Sequence, residues 1–150
     1  MYEASAEDAS ETFIVLFLAV ANLDDGTVRY ASAGHEPAWA IVGQDITTLP
    51  PTGPIVSSEL TAAFETHELH LSPGDALVIA TDGLTESRDA RGQLLGANGV
   101  VVWLSELRGS AQSMADAIVR RLRRRSSRIS DDLAIMIVRF SPPARSGTRE

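Results

Sequence analysis

Two acidic sites stand at the ends of apolar segments that are far apart in the sequence. Asp82 directly follows the run ALVIAT at 76–81, whereas Asp131 and Asp132 directly precede LAIMIVRF at 133–140. If the two runs are antiparallel neighbours in a sheet, the end of the first and the start of the second share one sheet edge. The carboxylates would then lie close together, and clustered carboxylates repel one another unless a cation compensates their charge.

Carboxylate oxygens are the ligands preferred by hard divalent ions such as Mg²⁺ and Mn²⁺. Gly83, which follows Asp82, suits a backbone that turns sharply or comes close to a ligand. Acids at strand ends are also common turn residues, so a purely structural role is the alternative. The residues therefore predict a candidate metal site at a sheet edge and leave the structural alternative open.

The elements that would position these acids can be predicted from the apolar pattern. The segment FIVLFLAVANL, the turn DDG and the segment TVRYASAG predict a β-hairpin, and the continuous apolar run at 13–21 predicts a strand covered on both faces. Loops are expected at 47–60 and 82–96. Further strands are expected at 38–42, 63–71, 76–81 and 133–140, and helices at 97–107, with Asn98 as a cap candidate, and 113–124.

Composition limits the classes of function. The chain has 150 residues, the usual size of one domain, and a formal net charge of −7, which argues against nucleic-acid binding. It has no Cys, which excludes disulfides, thiolate zinc sites and cysteine nucleophiles and is compatible with the cytoplasm, the location we expect. The apolar run at 13–21 is far shorter than the roughly 20 residues that span a bilayer, and no basic segment precedes it, so we expect no membrane insertion.

A basic run, VRRLRRRSSR at 119–128, contains six Arg. It is typical of a solvated face near a helix C-terminus, where cations are favoured. The alternative is a docking patch for an acidic or phosphorylated partner, formed by Arg120, Arg121, Arg124 and Arg125.

Several stretches carry a family resemblance, and they occur in the family's order: ETFIVLFLAV, RYASAGHEPAW, TGPIV, LSPGDALVIATDGLTESRDARGQLLG and SDDLAIMIVRF. From about Glu11 to Phe140 the chain resembles the metal-dependent protein phosphatases (PPM, type 2C), in particular their bacterial SpoIIE-like branch. The resemblance implies an α+β fold, an α-β-β-α sandwich of two antiparallel sheets flanked by helices. It also implies a site for two Mn²⁺ or Mg²⁺ ions, at which a metal-activated water attacks phosphoserine or phosphothreonine.

Carried over by motif, the resemblance implies that Asp82 and Asp131 are metal ligands and that Asp132 occupies the neighbouring place. It suggests Glu86 as a contact to a metal-bound water. For His35 it suggests an acid or phosphate contact, although a loop histidine bonded to nearby backbone is the simpler interpretation. The implied substrate is a phosphorylated regulatory protein, such as an anti-anti-sigma-type factor.

One family motif is missing from this sequence: an upstream Asp-Gly pair whose carboxylate bridges both metals. The chain therefore resembles the C-terminal part of the domain, without its N-terminal strands and helices, and divides into a polar segment 1–12, a partial phosphatase domain 13–140 and a tail 141–150. We expect at most weak metal binding, little activity of this chain alone, and an open apolar surface that favours a homodimer. The alternative from another class is a catalytically silent module that binds or regulates a partner.

Overall fold

The computed structural model describes residues 13–57, 62–125 and 132–141. The predicted segment 1–12 and nearly all of the predicted tail lie outside these ranges. Within them the chain forms nine strands and three helices: β1 (Phe13–Ile14), β2 (Leu16–Ala21), β3 (Thr27–Ala33), β4 (Ala38–Val42), β5 (Asp45–Leu49), β6 (Val56–Ser57), β7 (His67–His70), β8 (Ala76–Ala80), α1 (Asp82–Thr85), α2 (Gly96–Ser105), α3 (Ala111–Arg125) and β9 (Ile135–Arg139). None of these helices is long and apolar enough to cross a membrane.

The strands form two main antiparallel sheets, as the α+β prediction requires. One sheet has the order β2-β3-β7 and the other the order β5-β4-β8-β9, while β1 pairs only with β6. The predicted hairpin is confirmed by the β2–β3 pairing. Its turn depends on Gly26, at φ +79°, and on Asp25, whose Oδ1 accepts a hydrogen bond from Thr27 N at 2.8 Å.

Two apolar clusters hold the layers together. The four-stranded sheet packs one face on α2 and α3 and the other on the three-stranded sheet, so the described layers are helix, sheet and sheet. The cluster under the helices contains the larger residues, including Trp39, Val78, Leu84, Leu104, Ile118 and Leu122, which are all fully buried. In the described part of the chain, no second helical layer lies on the outer face of the three-stranded sheet.

The pairing that bears on the acidic residues is that of β8 with β9. The two strands are antiparallel, with Ala76 opposite Arg139 and Ala80 opposite Ile135. The C-terminal end of β8 and the N-terminal start of β9 therefore lie at the same edge of the four-stranded sheet, as the sequence predicts.

Three local predictions are wrong. The predicted loop at 47–60 contains most of β5, which has few apolar residues but pairs with β4 along its whole length. The predicted surface loop at 82–96 begins with the helical turn α1. The helix α2 begins earlier than predicted, with Leu95 rather than Asn98 at the N-cap and no side-chain cap.

The strand β2 is not covered on both faces, contrary to prediction. Its alternate residues Leu16, Leu18 and Val20 are 48%, 57% and 66% exposed. Between the sheets, a cavity of about 570 Å³ is lined by residues of both β2 and β9. In the described residues these two strands pair on one side only. The sandwich is therefore open and apolar here, which agrees with the open apolar surface expected from the sequence.

Candidate functional site

The end of β8 is tied to the start of β9 by one side chain. Thr81 Oγ1 donates to the carbonyl of Asp132 at 3.0 Å and accepts from Ala134 N at 2.9 Å, and Thr81 N donates to Ala134 O at 3.1 Å. These bonds bring the backbones of Asp82 and Asp132 to the same sheet edge. Asp131, the second predicted metal ligand, lies outside the described residues.

Asp82 presents its carboxylate to solvent as the first residue of α1. The side chain forms no hydrogen bond or ion pair with any described residue. Its carbonyl, in contrast, accepts from Glu86 N at 2.7 Å and lies 3.2 Å from Thr85 Oγ1. The backbone of Asp82 is therefore held while its carboxylate is free to bind an external cation.

The chemistry of the donor set can be compared with what a metal requires. A free, exposed carboxylate fits as one ligand of a hard divalent cation. Within residues 13–57, 62–125 and 132–141, however, no three His, Asp or Glu side chains are grouped closely enough to hold a metal ion. Of the two predicted ligands, the described residues thus include only Asp82.

The turn that carries Asp82 is anchored in the core. Gly83, Leu84 and Thr85 are buried, and Leu84 is part of the cluster under the helices. The sequence of this segment is largely polar and predicts a loop. The burial of these three residues nevertheless fixes the segment and so positions the exposed Asp82.

Sequence reasoning missed Glu36, which reaches this turn from 49 residues away. Thr85 Oγ1 donates to Glu36 Oε2 at 3.0 Å. The only signal in the sequence is that Glu36 follows His35 in a stretch already singled out by the family resemblance.

His35 is a loop histidine in contact with nearby backbone, the simpler of the two interpretations of this residue. Its Nδ1 lies 2.7 Å from the carbonyl of Glu36, and its ring centroid is 6.0 Å from that of Phe17. Glu86 is exposed, and its side chain forms no bond to a described residue, so it remains a candidate contact for a bound water.

The four arginines predicted as a docking patch do not act alike. Arg121 donates to Trp103 O at 3.0 Å and to Glu106 Oε2 at 2.8 Å, and Arg125 donates to Gln93 O at 2.8 Å. Both therefore fasten α3 to its neighbours, while the docking role of the four arginines stays a prediction.

Arg120 and Arg124 are exposed and form no ion pair in the described ranges. They are four residues apart on α3, so they lie next to each other on its surface. These two arginines, together with the exposed Arg123, are the cations of α3 that remain available to a partner.

The loop after α1 is held by a carboxylate. Asp89 Oδ1 accepts from Arg91 N and Gln93 N, each at 2.9 Å. The bond from the Gln93 backbone, the bond from Arg91 and the nearby Arg125 guanidinium, at 3.8 Å, hold the pKa of Asp89 below its usual value.

The fold matches that of a known class of protein domain. The chain resembles the SiaA-PP2C domain of Pseudomonas aeruginosa with a TM-score of 0.76 and 20% identity, covering 87% of this chain and 53% of that chain. Against the Mn-presoaked phosphatase domain of SpoIIE from Bacillus subtilis the TM-score is 0.68 at 22% identity, covering 85% of this chain and 56% of that chain. The chain therefore has the fold of part of a type 2C protein phosphatase domain.

The family follows from the sequence. The family model described as Stage II sporulation protein E (SpoIIE) matches residues 1–141, and the chain belongs to this family. Phosphoserine phosphatase RsbU of Bacillus subtilis is 31% identical over 135 residues, which cover 88% of this chain and 40% of RsbU. Protein IcfG of Synechocystis sp. is 28% identical over 122 residues, which cover 81% of this chain and 19% of IcfG. The chain thus spans less than half the length of these two relatives.

Proposed function

We propose that this chain is part of a metal-dependent protein serine/threonine phosphatase in which Asp82 and Asp131 bind Mn²⁺ or Mg²⁺. The observation that carries the proposal is the free carboxylate of Asp82, held at the edge where β8 ends and β9 begins. Membership of the SpoIIE family, with a phosphoserine phosphatase among the relatives, gives the class of reaction.

The roles of the residues follow from their positions. Asp82 and Asp131 supply oxygen ligands, Gly83 allows the buried turn behind them, and Asp132 fixes the start of β9 through its carbonyl. Glu86, one turn of backbone beyond Asp82, is placed to accept a hydrogen bond from a bound water. When bound, divalent ions in such sites activate a water and neutralise charge on the phosphoryl oxygens.

Metal binding by this chain alone is expected to be weak. Affinity rises with the number of charged ligands, and the proposed site has only two carboxylates, of which the described residues include one. Slow or undetectable turnover is expected until further ligands are supplied.

The test compares Asp82→Asn and Asp131→Asn with wild type. Mn²⁺ affinity is measured by the EPR signal of free Mn²⁺, and hydrolysis is measured with a phosphoserine peptide. Asp45→Asn is the matched control, because Asp45 is exposed on the same sheet but at its opposite end, next to Val42 rather than Ala80.

We expect both site variants to weaken Mn²⁺ binding and any Mn²⁺-dependent hydrolysis, and the control to leave both unchanged. Wild type and Asp82→Asn with equal Mn²⁺ affinity would contradict the proposal. Binding without turnover at any Mn²⁺ concentration would favour the catalytically silent module instead.

The proposed substrate is a phosphorylated regulatory protein of the cytoplasm, of the anti-anti-sigma type. We propose that Arg120 and Arg124 help to dock it. Two features support this role: both arginines are unpaired among the described residues, and α3 contacts the loop after α1 through the bond from Arg125 to Gln93 O. In a chain with a net charge of −7, such a local basic surface is where an acidic partner is attracted rather than repelled.

Docking is tested with a fluorescein-labelled phosphoserine peptide flanked by Asp and Glu. The double variant Arg120→Glu/Arg124→Glu should weaken its binding, measured by anisotropy at low ionic strength. Arg139→Glu at the far end of β9 is the control for each single variant, Arg120→Glu and Arg124→Glu, because all three change the charge equally. Equal weakening by one such substitution at Arg139 would show that net charge, and not this surface, attracts the peptide.

We also propose that the chain forms a homodimer through the open apolar face of β2. The exposed alternate residues Leu16, Leu18 and Val20 support the proposal, as does the edge of this strand that no described residue pairs with, because such edges and patches favour association.

A further inference from the structure

A carboxylate from a distant loop contacts the turn that carries Asp82. The Thr85 hydroxyl donates to Glu36 Oε2 at 3.0 Å and lies 3.2 Å from Asp82 O. Thr85 is only 6% exposed. A buried hydroxyl has little access to water, so its bonding depends on these two protein acceptors.

Glu36 is itself held by the loop on which it lies. Gly34, at φ +61°, donates from its backbone N to Gly53 O at 3.0 Å, and a Cβ at Gly34 would clash with Ile55. The carbonyl of Glu36 is in contact with His35 Nδ1, and Ala38, which begins β4, is fully buried. The backbone of Glu36 is therefore held in place, so its carboxylate can restrain the residue to which it is bonded.

We propose that Glu36 is a positioning residue that fixes α1, and with it the direction of the Asp82 carboxylate, through its hydrogen bond to Thr85. Asp82 and Thr85 are the first and last residues of α1. A tether at Thr85 thus restrains a helix of one turn whose other end carries the proposed metal ligand. This inference rests on the proposed function for the role of Asp82, but the tether can be measured without it.

The bond and the charge of Glu36 can be separated. The Thr85 hydroxyl has a single proton, which Glu36 Oε2 accepts. Glu36→Gln keeps an acceptor oxygen at the same place without the charge, whereas Glu36→Ala removes both. In the alanine variant Thr85 can still donate to Asp82 O, so α1 can form but loses its link to the loop at 34–37.

The experiment measures two properties of wild type, Glu36→Ala and Glu36→Gln. The first is amide hydrogen exchange by NMR at Leu84, Glu86 and Ser87, whose N–H groups bond within the turn. The second is Mn²⁺ affinity by EPR. Glu68→Ala is the control, because it also removes one negative charge but from an exposed ion pair with Arg29.

We expect Glu36→Ala to speed exchange at these amides by about 2- to 10-fold, the range that corresponds to the loss of one net hydrogen bond. Mn²⁺ affinity should fall by about 10-fold or more, as is typical when a residue that orients a ligand is removed. Glu36→Gln and Glu68→Ala should match wild type in both measurements.

Unchanged amide exchange in Glu36→Ala would overturn the inference. So would a change in exchange and in Mn²⁺ affinity in Glu36→Gln as large as that in Glu36→Ala. If wild type and Asp82→Asn bind Mn²⁺ equally, the metal-site proposal fails by itself. The exchange rates then test by themselves whether Glu36 restrains α1 through Thr85. Faster exchange in Glu36→Ala only would support this restraint, and equal exchange in all four proteins would refute it.

Discussion

Replacing Thr81 by Val should loosen the junction between β8 and β9. The hydroxyl of Thr81 both donates to Asp132 O and accepts from Ala134 N, at 3.0 and 2.9 Å, and Val keeps the shape of the side chain without either bond. Each such bond contributes about 0.5–1.5 kcal/mol net. We therefore expect the free energy of unfolding to fall by about 1–3 kcal/mol.

The assay is chemical denaturation at neutral pH, with Thr81→Ser as the matched variant. Ser keeps the hydroxyl and should recover most of the loss, and in thermal unfolding each kcal/mol should correspond to about 2–4 °C for a chain of this length. If the Val variant is as stable as wild type, or if Ser costs as much as Val, the junction does not depend on this hydroxyl and the reasoning is refuted. In a sample that binds Mn²⁺, the Val variant should also bind it more weakly, since the junction carries the proposed ligands.

Three further outcomes are expected. Leu122→Ala, at a residue with no exposed surface, should lower the free energy of unfolding by about 2–5 kcal/mol in urea denaturation, whereas Val102→Ala, 57% exposed, should change it by less than about 0.5 kcal/mol; equal losses would contradict the assignment of the core. Because the pKa of Asp89 is lowered in the folded state, its charge stabilises the fold above the unfolded pKa of about 3.9 and ceases to do so as the pH falls through the lower folded value. The stability difference between wild type and Asp89→Asn should therefore be largest near pH 7 and shrink towards pH 2, and a constant difference would argue against this role. Sedimentation velocity should show concentration-dependent association that Leu18→Lys abolishes and that Thr47→Lys, on the exposed part of another edge strand, does not; a monomeric wild type at high concentration would rule out the homodimer.

The sequence was sufficient for the elements whose apolar residues decide their structure. The strand at 76–80 and the helix α3, with Met114, Ile118 and Leu122 on its buried side, follow from hydrophobic content and period. The acids at 82 and 132 can meet only if β8 and β9 are antiparallel neighbours, and the structure shows this pairing.

Elements that depend on neighbours could not be predicted in this way. The strand β5, DITTL, has little apolar character of its own and forms because β4 offers it a complete edge. The burial of Gly83, Leu84 and Thr85 depends on the core beneath them, and a polar sequence does not reveal it. The same holds for the contact between Glu36 and Thr85, since no local pattern signals a bond between residues 49 positions apart. The position of Asp131 relative to Asp82 stays a prediction.

The bond between Glu36 and Thr85 also has an evolutionary consequence. Within related proteins, a lineage that replaces the hydroxyl residue at position 85 by an apolar one leaves a carboxylate at position 36 without its partner. Selection should then no longer retain an acid there, so the two positions should change together across descendants, while lineages that keep Thr or Ser at 85 should keep a side chain at 36 that can accept its proton.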